Sequence, residues 1–173
     1  VMVATSGDRL LDADALTALV ELLDDVDVVT PNLPELALLL ECAEAGTWPV
    51  ALAQGQQLAA RHGIGVVVKG GHLPGGQCPD ALVLPDTAPI EAPARRIRTR
   101  NTHGTGCSLS SGLATLRTQS PDWPTAFKRT KDWLQDAIAH ADELEVGRGH
   151  GPIHHFHAFH AMPTRASIDS GWI

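Results

Sequence analysis

Residues 99–107 read TRNTHGTGC, with Gly104 and Gly106 flanking Thr105 and Cys107 opening an apolar-periodic stretch. Glycines let the backbone turn tightly, so that successive N–H groups point one way. At a helix start those donors lie at the positive end of the dipole, which suits an anion. A Gly-rich loop that merely begins a helix is the other reading, and Gly-Thr-Gly alone does not separate the two. Cys107 weighs for the site, because a helix N-terminus favours the thiolate form of a cysteine placed there. Lys69 closes the run GVVVK and precedes Gly70 and Gly71. A lone lysine at a strand end is more often simply solvated. Taken with an anion loop in the same sheet, a cation followed by bare backbone suits a phosphate. Asn32 and Glu35 stand in TPNLPE, directly after VDVVT. They suit a helix cap with a dipole-complementing acid, or a hydrated Mg²⁺, which prefers oxygen ligands, and spacing leaves both open. His150, His154, His155, His157 and His160 crowd into HGPIHHFHAFH. Such a tract can bind a transition metal. No cysteine joins it and Gly-Pro marks a turn, so metal binding is the weaker reading.

These residues need elements to hold them. Residues 11–23 show a helical period that Asp12 or Asp14 can cap, and 26–30 is a short β-branched strand. Residues 34–42 begin with Pro and Glu, both favoured in a first helical turn. A second helix spans 50–62 and stops at Gly63, and 65–69 is a continuous apolar strand. Residues 81–84 and 90–99 read as further strands, with Pro89 and Pro93 placing the latter at an edge or in a hairpin. Helices follow over 107–117 and 123–143, and the last dozen residues read as a frayed tail. Alternating helices and fully apolar strands predict a parallel sheet covered on both faces. Ligands in such sheets bind where strand ends meet helix starts, which is where the unusual residues fall.

The 173 residues suffice for one ordinary domain. With 43% apolar and 19% charged residues, the composition is globular and argues against a disordered or collagen-like chain. No run approaches the ~18 apolar residues of a membrane span. Twenty acids against 13 bases give a net charge of −7 without a basic stripe, so nucleic acid is a poor partner. Cys42, Cys78 and Cys107 form an odd set without C-x-x-C spacing, which fits a reducing cytoplasm better than a disulfide framework. The four tryptophans are dispersed and carry no assigned role.

In order, VMVATSGDRLL, VVTPNLPE, VVVKGGHLPGG with Asp80, RNTHGTGCSLSSGLA and GRGHGPIHHFH resemble the bacterial hydroxymethylpyrimidine and hydroxymethylpyrimidine phosphate kinases of thiamine biosynthesis, in the ribokinase-like superfamily. HGTGC is the most specific part. The resemblance implies a three-layer α/β/α fold with a mostly parallel central sheet over 1–160, and a tail over 161–173. It implies that Gly104, Thr105 and Gly106 form an anion hole for the transferred phosphoryl. Cys107 would act as the base, where most of the superfamily has Asp. Lys69 and Thr102 would contact ATP, Asn32 and Glu35 would organise Mg²⁺ through water, and Val1 would touch the pyrimidine. A cytoplasmic homodimer is the expected setting.

Full-length members of that family carry further sequence before the position matching Val1, including the first strands and most pyrimidine contacts. The chain is therefore expected to hold the nucleotide half, to expose a strand edge and apolar surface, and to turn over poorly alone. A pyridoxal or pyridoxine kinase of the same superfamily, and a non-catalytic nucleotide-binding remnant, remain as competing readings.

Overall fold

The computed structural model describes residues 13–160. The expected substrate contact Val1, the candidate cap Asp12 and the expected tail 161–173 lie outside the described residues.

The sheet is built around the one fully apolar β-branched run. Gly65–Lys69 forms β2, and its three valines have no exposed surface. Successive side chains of a strand point to opposite faces. Val66 and Val68 accordingly join one core cluster and Val67 the other. With β1 (Val28–Val29), β3 (Asp80–Val83) and β4 (Ile90–Ala92), β2 forms a four-stranded sheet in the order β1-β2-β3-β4.

The α/β/α layering agrees with the sequence reading, but the sheet is mixed. Among the described pairings β1–β2 is parallel, whereas β2–β3 and β3–β4 are antiparallel. The connections explain the difference. From β1 to β2 the chain crosses over through α2 (Leu33–Leu40) and α3 (Trp48–His62). From β2 to β3 it has only the 3₁₀ turn Gly70–His72 and a loop. Without a helical crossover the chain must reverse direction.

Leu23, Leu33, Leu36 and Leu58 pack on the face of Val66, Val68 and Val83, joined by Leu16 and Leu19 from α1 (Ala13–Leu22). On the opposite face, α4 (Thr105–Arg117) and α5 (Trp123–Ala139) supply Leu109, Leu113, Phe127 and Leu134 against Val67 and Leu82. Each fully buried side chain of this size contributes about 1.5–3 kcal/mol. A Cβ on Gly55 would collide with the Val68 side chain, so this glycine lets α3 lie flush on the sheet. α5 is capped by Asp122, whose carboxylate accepts from the Thr125 amide at 2.8 Å; hydrogen bonding from the Thr125 side chain, and then from its amide, holds the carboxyl below its ordinary value.

Several boundaries differ from the sequence reading. The 26–30 strand shortens to Val28–Val29, and the 90–99 strand ends at Ala92, before Pro93, which has no amide to give a ladder. The 34–42 helix stops at Leu40 because Glu41 turns left-handed. The long last helix ends at Ala139 and resumes as the 3₁₀ turn Ala141–Glu143. α4 starts at Thr105, two residues before Cys107, so Gly106 is helical. Among the described residues, no helix is long and apolar enough to cross a membrane.

Candidate functional site

Parallel pairing puts the carboxyl ends of β1 and β2 at one edge, and an isolated parallel bridge continues it from Asn32 to Lys69. α2 starts there. The Asn32 side chain accepts from the Glu35 amide at 2.8 Å, while the Asn32 amide donates to Glu35 Oε2 at 2.9 Å. This reciprocal pair is a complete capping box. The capping alternative for Asn32 and Glu35 is thus realised. It also holds the buried Glu35 carboxylate 4.0 Å from Lys69 Nζ.

Lys69 reaches α4 as well. A Cβ built on Gly106 would lie 3.5 Å from Lys69 Nζ, so the ammonium rests against the first turn of that helix. Burial pushes the Lys69 pKa below the usual lysine value, and the charges of Glu35, Asp80 and Cys107 pull it partly back. An anionic ligand placed here would restore the charge balance that burial disfavours.

Gly104 caps α4 at φ 84°, a left-handed conformation that a side chain would strain. The Thr105 amide and hydroxyl both donate to the Thr102 carbonyl, at 3.3 and 2.7 Å. The Ser108 amide donates to the Gly104 carbonyl at 2.8 Å. Between them, the amides of Gly106 and Cys107 have no acceptor among the described residues, and no side chain caps this end. Cys107 is exposed, not sunk among aliphatics. Cys42, Cys78 and Cys107 are all free thiols. Lys69, Gly104, Thr105, Gly106 and Cys107 therefore gather at one place, with Asn32 and Glu35 beside Lys69. Thr102 is exposed on the approach to the loop.

Three pairings escaped the sequence reading, although Asp80 itself belonged to the family resemblance. Asp80, paired in register with Lys69, accepts from Lys131 Nζ at 2.6 Å and from the Gly70 amide at 3.1 Å. That buried ion pair holds the backbone just after Lys69. Thr30 and Ser110 share a hydroxyl hydrogen bond of 2.7 Å that ties β1 to α4. Ser108 Oγ pairs with His155 Nε2 at 2.7 Å. A polar residue beginning a strand was a faint signal for Asp80; the others are partners distant in sequence.

The histidine tract resolves differently. His140 and His157 stack with ring centres 5.5 Å apart, and His154 is buried. Among the described residues no group of three or more His, Cys, Asp or Glu is placed to hold a metal ion.

Two helix starts, a half-buried lysine and an exposed thiol meet at the carboxyl edge of a layered α/β/α sheet, and the structural neighbours of this sheet are ribokinase-like kinases. The solved ADP complex of Bacillus subtilis pyridoxal kinase superposes with a TM-score of 0.77 at 25% identity, covering 85% of this chain and 57% of that one. The family model described as phosphomethylpyrimidine kinase matches residues 1–154, and the chain belongs to that family. It is 48% identical over 160 residues to the hydroxymethylpyrimidine/phosphomethylpyrimidine kinase of Salmonella typhimurium, covering 92% of this chain and 60% of the relative. It is 47% identical over 172 residues to a thiamine biosynthesis multifunctional protein of Corynebacterium glutamicum, covering 99% of this chain and 22% of that protein. The chain thus spans three-fifths or less of the length of these relatives.

Proposed function

We propose that this chain supplies the nucleotide-holding half of an ATP-dependent kinase acting on hydroxymethylpyrimidine and its monophosphate in thiamine biosynthesis. The observation that carries the reading is the meeting of the Lys69 ammonium with the open first turn of α4, beside an exposed Cys107. Names of relatives at 47–48% identity support the acceptor; pyridoxal, suggested by a fold match at 25%, is the weaker alternative.

In this reading the Gly106 and Cys107 amides receive the γ-phosphoryl oxygens, with Gly104 and Thr105 shaping the turn. Lys69 neutralises phosphate charge, and Thr102 lines the approach of the nucleotide. The acceptor hydroxyl loses its proton to the Cys107 thiolate as its oxygen bonds to the γ-phosphorus. The bond from that phosphorus to the bridging oxygen breaks, and ADP leaves. Positioned donors in a partly dry site supply most of what phosphoryl transfer requires. The oxygen donors of Asn32 and Glu35 fit a hydrated Mg²⁺ held through water, since the capping box already engages Asn32 Oδ1 and Glu35 Oε2. Such an ion supplies further neutralisation of phosphate charge. Three free thiols suit a reducing cytoplasm. A homodimer, and a kinase unit ending near residue 160, belong to the same proposal through the family resemblance.

The test is coupled ATP turnover by a protein containing this chain, with hydroxymethylpyrimidine, its phosphate and pyridoxal compared. Turnover is expected on the first two, and Cys107→Ser is expected to lower it by about 10²–10⁴-fold. Faster turnover of pyridoxal would overturn the acceptor. Nucleotide binding without product would reduce the chain to a binding module, and an unaffected Cys107→Ser variant would remove that thiol from the mechanism.

A further inference from the structure

The loop that precedes α4 is held by a segment almost fifty residues further on. His103 donates its amide to the Gly151 carbonyl at 3.1 Å, and its carbonyl accepts from the Ile153 amide at 3.3 Å. The Gly151 amide donates to Asn101 Oδ1 at 2.9 Å, and a Cβ on Gly151 would collide with that oxygen. Ile153 is wholly buried in the core beneath α4 and α5, and the His154 amide donates to the Ala137 carbonyl at 2.9 Å. The segment is therefore anchored at both ends before its next residue reaches α4. That residue is His155, exposed, with its ring 6.1 Å from Trp133 and its Nε2 2.7 Å from Ser108 Oγ. Ser108 follows Cys107 directly and is itself buried. His155 and Cys107 both line a cleft of about 690 Å³, together with Ser108, Ser111 and Trp133.

We infer that residues 151–155 form a strap that sets the α4 loop from outside, and that His155 is the positioning residue that holds the first turn, with Cys107, through Ser108 Oγ. A Gly-rich loop has many conformations of similar energy, and the open amides of Gly106 and Cys107 provide no bond of their own to select one. Pairing at His103 fixes the entry to the loop. The His155–Ser108 bond fixes its exit one residue past the thiol. Since the exposed imidazole contributes little burial, its removal leaves the core intact.

This inference rests on the anion-loop reading, but its test can be read without it. Iodoacetamide labelling of Cys107, resolved by peptide mass so that Cys42 and Cys78 do not interfere, reports the thiol's setting directly. His155→Ala is expected to change the labelling rate by about 2- to 10-fold, the worth of one hydrogen bond, and to speed amide exchange over residues 103–108. Ser108→Ala should match it, the double variant should add nothing further, and His155→Gln should restore most of the native rate. In a protein with kinase turnover, His155→Ala should lower kcat and leave the acceptor KM unchanged. Native labelling in both alanine variants would overturn the inference, as would an effect of His155→Ala that Ser108→Ala does not share. Absent turnover in the unmodified protein, with these labelling changes present, would instead count against the kinase reading alone.

Discussion

α2 and α4 begin at the same edge of the sheet and treat their first amides in opposite ways. α2 closes its own end: the Asn32 side chain takes the Glu35 amide, and the Glu35 carboxylate takes the Asn32 amide. α4 starts on a left-handed glycine with no side-chain cap and leaves two successive amides without an acceptor among the described residues, beside a half-buried ammonium. A helix end left open sacrifices about 1 kcal/mol of capping stability. In the proposed reading, the helix with a satisfied end serves as scaffold, while the helix with an unsatisfied end is the one that receives the anion. Lys69 lies between them, within 4.0 Å of the Glu35 carboxylate and against Gly106.

The contrast can be erased from the open side first. Gly106→Asp would place a carboxylate in the first turn of α4, next to Lys69. Like charges brought together at a site cost several kcal/mol, so ATP affinity measured by calorimetry should fall on the order of 100-fold. Unchanged affinity would show that phosphate does not bind there. Gly104→Ala comes next: a Cβ at φ 84° costs about 1–2 kcal/mol, which urea unfolding should register as a lower midpoint with an unchanged slope.

On the closed side, Asn32→Ala should cost about 1 kcal/mol of stability by the same assay. If the residue also organises Mg²⁺, the magnesium dependence of ATP affinity should weaken while metal-free affinity stays constant. The smallest effect concerns Glu35→Gln, which keeps the capping box because glutamine serves at that position too. Glu35 raises the otherwise lowered pKa of Lys69, so its neutralisation should let the ammonium lose its proton at lower pH. The alkaline fall in nucleotide affinity should then begin earlier than in the unmodified protein. An unmoved limb would show that Lys69 does not govern it.

Local signals were legible where one segment decides the outcome. The run GVVVK became β2 with the expected bounds because β-branched residues buried on both faces leave no other element plausible. The start of α2 was legible to within one residue, at Leu33 rather than Pro34, since Asn, Pro and Glu carry capping chemistry within four positions. Strand direction was not. Whether β3 runs with or against β2 depends on the path over 70–79, where Arg96 donates to the carbonyls of Gly71, Leu73 and Gly75. Clustering of the site was anticipated from the strand-end rule, but its supports were hidden. Asp80 and Lys131 lie 51 positions apart, and Ser108 and His155 lie 47 apart. Neither pair has a local signature, because each residue taken alone reads as an ordinary charged or polar side chain.

The pairing of His103 with Gly151 and Ile153 also dictates an order of events during synthesis. A ribosome releases the glycine loop long before it releases the stretch that fastens it. Until Ile153 has left the exit tunnel and reached the core, the loop lacks the backbone pairing at His103. A nascent or prematurely terminated product therefore carries every residue of the loop without the two backbone bonds that fasten it at His103.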